Sequence, residues 1–145
     1  MSCVLRIEGA NFNIDEFLNS IDLTPYKKHR KGDIISFIKK KETIHKTSGC
    51  SFDLSFADFN QFELQKKDTT KFLKDNFDKL KNIYSFGLSK NETPIIDFAI
   101  ENQLNKSAVQ FNNLGVELIK LVGNLDFAIE ISLYNIASDK NKKNK

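Results

Sequence analysis

The sequence predicts a single α+β domain: one mostly antiparallel β-sheet with about three helices packed on it. Short stretches in which apolar and polar residues alternate recur along the chain, and this alternation is typical of half-buried strands. Between them, three stretches repeat their apolar residues at helical spacing. Together they predict the order β-α-β-β-β-α-β-β-α-β, and a length of 145 residues is typical of one core.

The chain opens with a strand and a short helix. Residues 3–8 alternate, which predicts a strand whose odd-numbered side chains face the core. Residues 13–21 carry apolar residues at helical spacing after Asn13, a candidate N-cap. Pro25 then favours an extended backbone in the residue before it.

Three strands follow in the middle of the chain. Residues 34–38, 43–47 and 50–56 predict strands that pair in antiparallel fashion across short turns. The last of them alternates most clearly. Its predicted inward side chains are Cys50, Phe52, Leu54 and Phe56.

The longest helix comes next. The pattern of residues 57–67 is irregular, and residues 68–85 then repeat apolar residues on one helical face. Gly87 is well placed to end this helix in a left-handed conformation.

The last third predicts two strands, a helix and a final strand. The strands are 94–100 and 107–111, and the helix is 114–122, with Asn112 or Asn113 as its N-cap. The final strand covers 127–134. Its predicted inward side chains are Phe127, Ile129, Ile131 and Leu133.

Composition and charge exclude several classes of protein. The domain is predicted to cover residues 1–136, and the Lys/Asn-rich residues 137–145 to be a disordered tail. The net charge is +3, and four lysines lie in that tail, whereas nucleic-acid domains carry a larger and more clustered excess. No stretch approaches the roughly 18 apolar residues of a membrane helix. With no secretory signal at the N-terminus, we expect a cytoplasmic protein with free, buried thiols at Cys3 and Cys50.

Basic residues are concentrated between positions 27 and 46. We expect them mainly to be solvated, to protect a sheet edge, or to steer an acidic partner. Weak binding of nucleic acid or another anion is the alternative. The candidate anion-binding residues are Lys27, Lys28, Arg30, Lys31, Lys39, Lys40 and Lys41.

A second candidate site is a charged sheet face beside an aromatic loop. Arg6 shares the outward side of the first strand with Glu8, and acidic residues take similar positions on later strands: Asp53, Asp97 and Glu130. They form either a solvated face or a binding face anchored by Arg6. The loop 58–64 is either a flap over the core or an apolar patch. The candidate partner-binding residues are Arg6, Phe59, Phe62 and Leu64.

The sequence predicts no catalytic, cofactor-binding or metal-binding residues. His29 and His45 lack the spacing of metal ligands. Cys50 lies in the apolar register of its strand, which favours a buried thiol over a nucleophile paired with His45. Phosphate-binding, nucleophile-elbow and zinc-protease motifs are absent from the sequence. We therefore expect no enzyme activity and no cofactor.

The order of several motifs resembles a bacterial domain-of-unknown-function family of small standalone α+β proteins (DUF4279-like). Some members lie near polymorphic toxin loci as candidate immunity proteins. The resemblance covers about residues 3–135, and members often carry Trp where this chain has Phe52. Its motifs are Leu5-Arg-Ile-Glu-Gly9, Leu23-Thr-Pro25, Lys31-Gly-Asp33 and Ile129-Glu-Ile-Ser-Leu-Tyr134. The resemblance implies the fold and protein binding, and it brings no catalytic residues.

The functional prediction is a non-catalytic protein-interaction module, in its more specific form an immunity protein whose partner is a toxin. The net charge favours an acidic or neutral toxin. Weak nucleic-acid or anion binding through residues 27–46 and a small-ligand pocket are the alternatives. A homodimer is also expected as a partner state, through an edge strand such as residues 43–47. No membrane association is expected.

Overall fold

The computed structural model describes residues 2–38, 41–104 and 107–135. The strands are β1 (Cys3–Gly9), β2 (Lys27–His29), β3 (Ile34–Ile38), β4 (Lys41–Ile44), β5 (Ser48–Ser55), β6 (Ile95–Glu101) and β7 (Ala128–Tyr134). The helices are α1 (Ile14–Ser20), α2 (Phe62–Leu80) and α3 (Val116–Asn124), with a short 3₁₀ helix at Ile83–Phe86. Strand β2 was not predicted, and the predicted tail 137–145 lies outside the described residues.

Five strands form the main sheet in the order β2-β5-β1-β6-β7. Neighbours are antiparallel except β6 and β7, which run parallel. A parallel pair needs a crossover connection, and α3 lies in that connection. Strands β3 and β4 form a separate two-stranded hairpin. The predicted α+β class with a mostly antiparallel sheet is confirmed.

One face of the sheet carries the core. The odd-numbered side chains of β1 and the even-numbered ones of β6 are buried together with α2, α1 and the 3₁₀ helix. Asn13 caps α1 as predicted, since its side chain accepts a hydrogen bond from the backbone N–H of Glu16. Gly87, which was predicted to end the long helix, ends the 3₁₀ helix instead, with a left-handed φ of +92°, because α2 already ends at Leu80.

The start of α2 differs from the prediction. The helix begins at Phe62, six residues before the predicted residue 68. The prediction that residues 57–67 are irregular was therefore wrong for residues 62–67. The side chains that α2 buries in its first turns are the polar Gln65 and Thr69. The spacing of apolar residues gives no sign of buried polar residues, so the sequence pattern missed this part of the helix.

Residue 56 also differs from the prediction. Strand β5 ends at Ser55, and the pairing register with β1 shifts between Cys3 and Val4. Such an irregularity re-aims the side chains next to it. Phe56, predicted to face the core, is 76% exposed.

The predicted strand 107–111 is absent. Its residues form a loop with exposed side chains at Val109 and Phe111, and the Gln110 side chain donates to the backbone oxygen of Glu101. The N-cap of α3 is Gly115. The Asn113 side chain accepts a hydrogen bond from the Gly115 N–H, and neither predicted asparagine caps the helix.

Two of the side chains predicted to face the core from the last strand are exposed: Ile131 and Leu133. They lie on the helix-covered side, because they pair in register with the buried Phe98 and Ile100. Strand β7 is the edge of the sheet, and α3 covers this edge incompletely. The predicted strand 43–47 is shifted towards the N-terminus, since β4 runs from Lys41 to Ile44.

Candidate binding face

The second side of the main sheet forms what we call the open face. We define it by the side chains that alternate with the buried ones, among them Arg6, Asp53, Asp97 and Glu130. They are at least partly exposed, and none of the described helices covers them. The open face is therefore a sheet surface of five strands available to solvent.

An ion cluster lies at the centre of the open face. Arg6 Nη2 lies 3.5 Å from Asp97 Oδ2 and donates a hydrogen bond to the Glu130 carboxylate. The Ser132 hydroxyl donates to Asp97 Oδ1 at 2.8 Å. The Arg6 side chain is 44% exposed, and exposed pairs of this kind contribute only about 0–1 kcal/mol to stability. The cluster can thus exchange partners at little cost to the fold.

Asp53 lies beside this cluster. The pairing register places it next to Val4 on β1, and Asp97 lies on the other side of Val4. One carboxylate oxygen of Asp53 is buried and has no hydrogen-bond partner among the described residues. Burial raises the pKa of this carboxyl group above its ordinary value.

Aromatic rings border one end of the open face. The Phe59 ring stacks on Tyr134, with ring centroids 5.4 Å apart. Phe62 instead points to the core and makes an edge contact with Phe98, and Leu64 is exposed on α2. The structure thus separates the four predicted residues. Arg6 and Phe59 belong to the open face, whereas the other two belong to α2.

A pair of stacked histidines lies at the opposite end. The rings of His29 and His45 are 3.9 Å apart, and His29 Nε2 lies 3.8 Å from a Glu8 carboxylate oxygen that also accepts a hydrogen bond from Thr47. Burial, and then the charge of His45, lower the pKa of His29 below its ordinary value. Sequence reasoning missed this cluster, since its members come from different strands and loops.

Cys50 does not join the histidines. Its thiol lies in the core on the other side of β5, and burial raises its pKa to about 12. Among the described residues, no group of three or more potential ligands could hold a metal ion.

The basic residues between positions 27 and 46 contact different parts of the protein. Arg30 donates to both carboxylate oxygens of Asp15, at 2.8 and 2.6 Å. Lys31 Nζ donates to the backbone oxygen of Ala10 at 3.4 Å. Lys27 and Lys28 are adjacent strand residues, so their side chains leave opposite faces of β2.

Of the remaining candidate lysines, Lys39 and Lys40 lie outside the described residues, and Lys41 starts β4. Lys41 pairs with Ile38 at the far end of β3. A five-residue strand such as β3 spans about 17 Å, which separates Lys41 from Lys27–Lys31. The described residues therefore do not form one concentrated cationic patch.

A surface groove of 670 Å³ lies apart from the open face. It is lined by Tyr84, Leu88, Lys90, Thr93 and Asp126. The Tyr84 hydroxyl donates to the Asp126 backbone oxygen at 2.7 Å, so these two polar groups of the groove are already paired.

Comparison with protein-family models, curated proteins and solved structures finds no match for this chain. The resemblance to a domain-of-unknown-function family stays a prediction. Across the part of the chain that the structure describes, no helix combines the length and apolar character needed to cross a membrane.

Proposed function

We propose that this protein is a non-catalytic interaction module that binds another protein through its open face. The observation that carries the proposal is a sheet whose second face is uncovered by the described helices and holds the Arg6–Asp97–Glu130 cluster. Arginine is favoured at protein interfaces, and Phe59 stacked on Tyr134 adds an aromatic border.

The charge of the open face favours a basic partner. Five carboxylates lie on it, from Glu8, Asp53, Asp97, Glu101 and Glu130, against the basic side chains Arg6 and Lys27. The net charge of +3 favoured an acidic or neutral partner, but binding depends on the charge of the surface in contact.

In its more specific form, the proposal is an immunity protein that covers the working surface of a toxin in the bacterial cytoplasm. Proteins that bind nucleic acid carry basic surfaces to neutralise phosphates. An acidic sheet face can occupy such a surface in place of the nucleic acid. A toxin that acts on nucleic acid therefore fits the open face better than an acidic one.

The test is a pull-down from a lysate of the native organism with the tagged full chain, at low and high salt. Protein and nucleic acid are read in the same eluate. The variants Arg6→Glu and Phe59→Ala change the open face. Lys71→Glu is the control, because Lys71 is exposed on α2 and pairs only with its helical neighbour Asp75 among the described contacts.

We expect one stoichiometric protein partner that survives high salt, is retained by Lys71→Glu and is lost with Arg6→Glu. Phe59→Ala should weaken the interaction. A partner that binds all three variants equally would refute the open face as the binding site. Nucleic acid that elutes as the salt concentration rises would instead support the basic stretch 27–46.

A further inference from the structure

The two edges of the main sheet are built differently. Strand β2 has three residues, two of them lysines, and short, charged edges resist pairing with another strand. Strand β7 has seven residues, Ala128–Tyr134, and contains neither lysine nor proline. An edge of this length and composition is a template for another strand unless something covers it.

The backbone of β7 presents to that edge groups that pair with none of the described strands. Ala128 N donates to the Pro94 oxygen at 2.9 Å, and the Tyr134 oxygen accepts from Asn102 N at 2.8 Å. The even-numbered residues of β7 therefore bond to β6, and the backbone groups of Ile129, Ile131 and Leu133 point outward. No described strand lies beyond β7.

Apolar side chains flank the same edge. The Glu117–Lys74 ion pair directs one side of α3 towards α2. At 100° per residue, Ile119 falls on the side away from α2, above the edge of β7. Ile119 is exposed, as are Ile131 and Leu133 on the strand below it. An exposed apolar patch next to a free strand edge marks an interaction surface.

We propose that a second copy of this chain covers the edge, by antiparallel pairing of β7 with β7 across a two-fold axis centred on Ile131. In that register, Glu130 lies opposite Ser132 of the other copy, and Ile129 opposite Leu133. No like charges face each other. A two-fold interface brings each patch against its own equivalent, so the Ile119 side chains of both copies would meet above the joined strands.

The dimer extends the main sheet from five to ten strands and makes the two open faces continuous. The proposed pairing depends on the β7 edge and on α3. The dimer proposal therefore holds whether or not the open face binds a partner. This interface differs from the one expected through residues 43–47, which would use the small hairpin.

The test is the mass of the full chain by light scattering after size exclusion, across a range of protein concentrations. The double variant Ile119→Lys and Leu133→Lys places four charges in the proposed interface. Ile35→Lys is the matched control, because Ile35 and Ile119 are similarly exposed, at 52% and 54%, and Ile35 lies on β3 of the separate hairpin. Circular dichroism reports whether each variant is folded.

We expect a dimer for the wild type and for Ile35→Lys, and a folded monomer for the double variant. A wild-type monomer at every concentration would overturn the proposal. So would a dimer that the double variant leaves intact, or a monomer that dimerises only when residues 136–145 are deleted, since the tail would then be the natural cover. Ile131→Cys tests the register: the two-fold axis should allow an intermolecular disulfide that Ile35→Cys does not form.

Discussion

The Gln65 side chain connects the first turn of α2 to the sheet by hydrogen bonds, and replacing it should lower the stability of the protein measurably. The side chain is fully buried, with 0% exposure. Its amide nitrogen donates to the backbone oxygens of Ala99 at 3.0 Å and Asp58 at 3.1 Å. The substitution Gln65→Leu keeps a similar volume and removes both hydrogen bonds.

The expected loss follows from these two bonds. Each contributes about 1 kcal/mol net, which gives a loss of about 2 kcal/mol in the free energy of unfolding. The Asp58 oxygen keeps a second donor, the backbone N–H of Gln61, whereas the Ala99 oxygen loses the donor described for it. Leaving the Ala99 oxygen without a donor costs free energy. This cost is offset in part, because the substitution also removes the buried, unpaired Gln65 oxygen.

Urea unfolding followed by circular dichroism measures the effect. The midpoint should fall with an unchanged slope, and the Tm should drop by about 6 °C, at about 3 °C per kcal/mol for a chain of this size. Gln61→Leu is the control, since Gln61 is exposed and its oxygen accepts a single hydrogen bond from Asp58 N. A Gln65→Leu loss below about 0.5 kcal/mol, less than one ordinary hydrogen bond, would refute the reasoning.

Three further measurements check the local structure. Gly87→Ala should cost about 1–3 kcal/mol in unfolding experiments because of its left-handed backbone, whereas Gly123→Ala, in open space on α3, should stabilise the protein by about 0.5–1 kcal/mol; equal effects would contradict this. Burial raises the pKa of both Cys3 and Cys50 to about 12, so a thiol reagent should react slowly until urea unfolds the chain. The lowered pKa of His29 means that the folded state binds fewer protons, so stability should fall as the pH drops below 6.5; His29→Gln should flatten this dependence, and an unchanged pH profile would show that His29 is not its source.

The sequence alone determined the features that depend on local pattern. The alternation of residues 3–8 predicted β1, because one buried sheet face imposes a period of two. Asn13 was recognisable as a helix cap, since capping needs a side-chain oxygen within three residues of the N–H groups it satisfies. The outward position of Arg6 followed from the same alternation.

Tertiary structure decided what depends on distant neighbours. The first turns of α2 bury polar Gln65, which a carbonyl on β6 satisfies, and no local pattern reports that partner. Ile131 has an apolar side chain of the kind that usually lies in a core, yet it is exposed because β7 is the edge of the sheet. The order of strands brings Arg6 to Asp97 and Glu130 across a chain separation of about 90 to 125 residues, since pairing registers and not sequence distance decide which side chains meet.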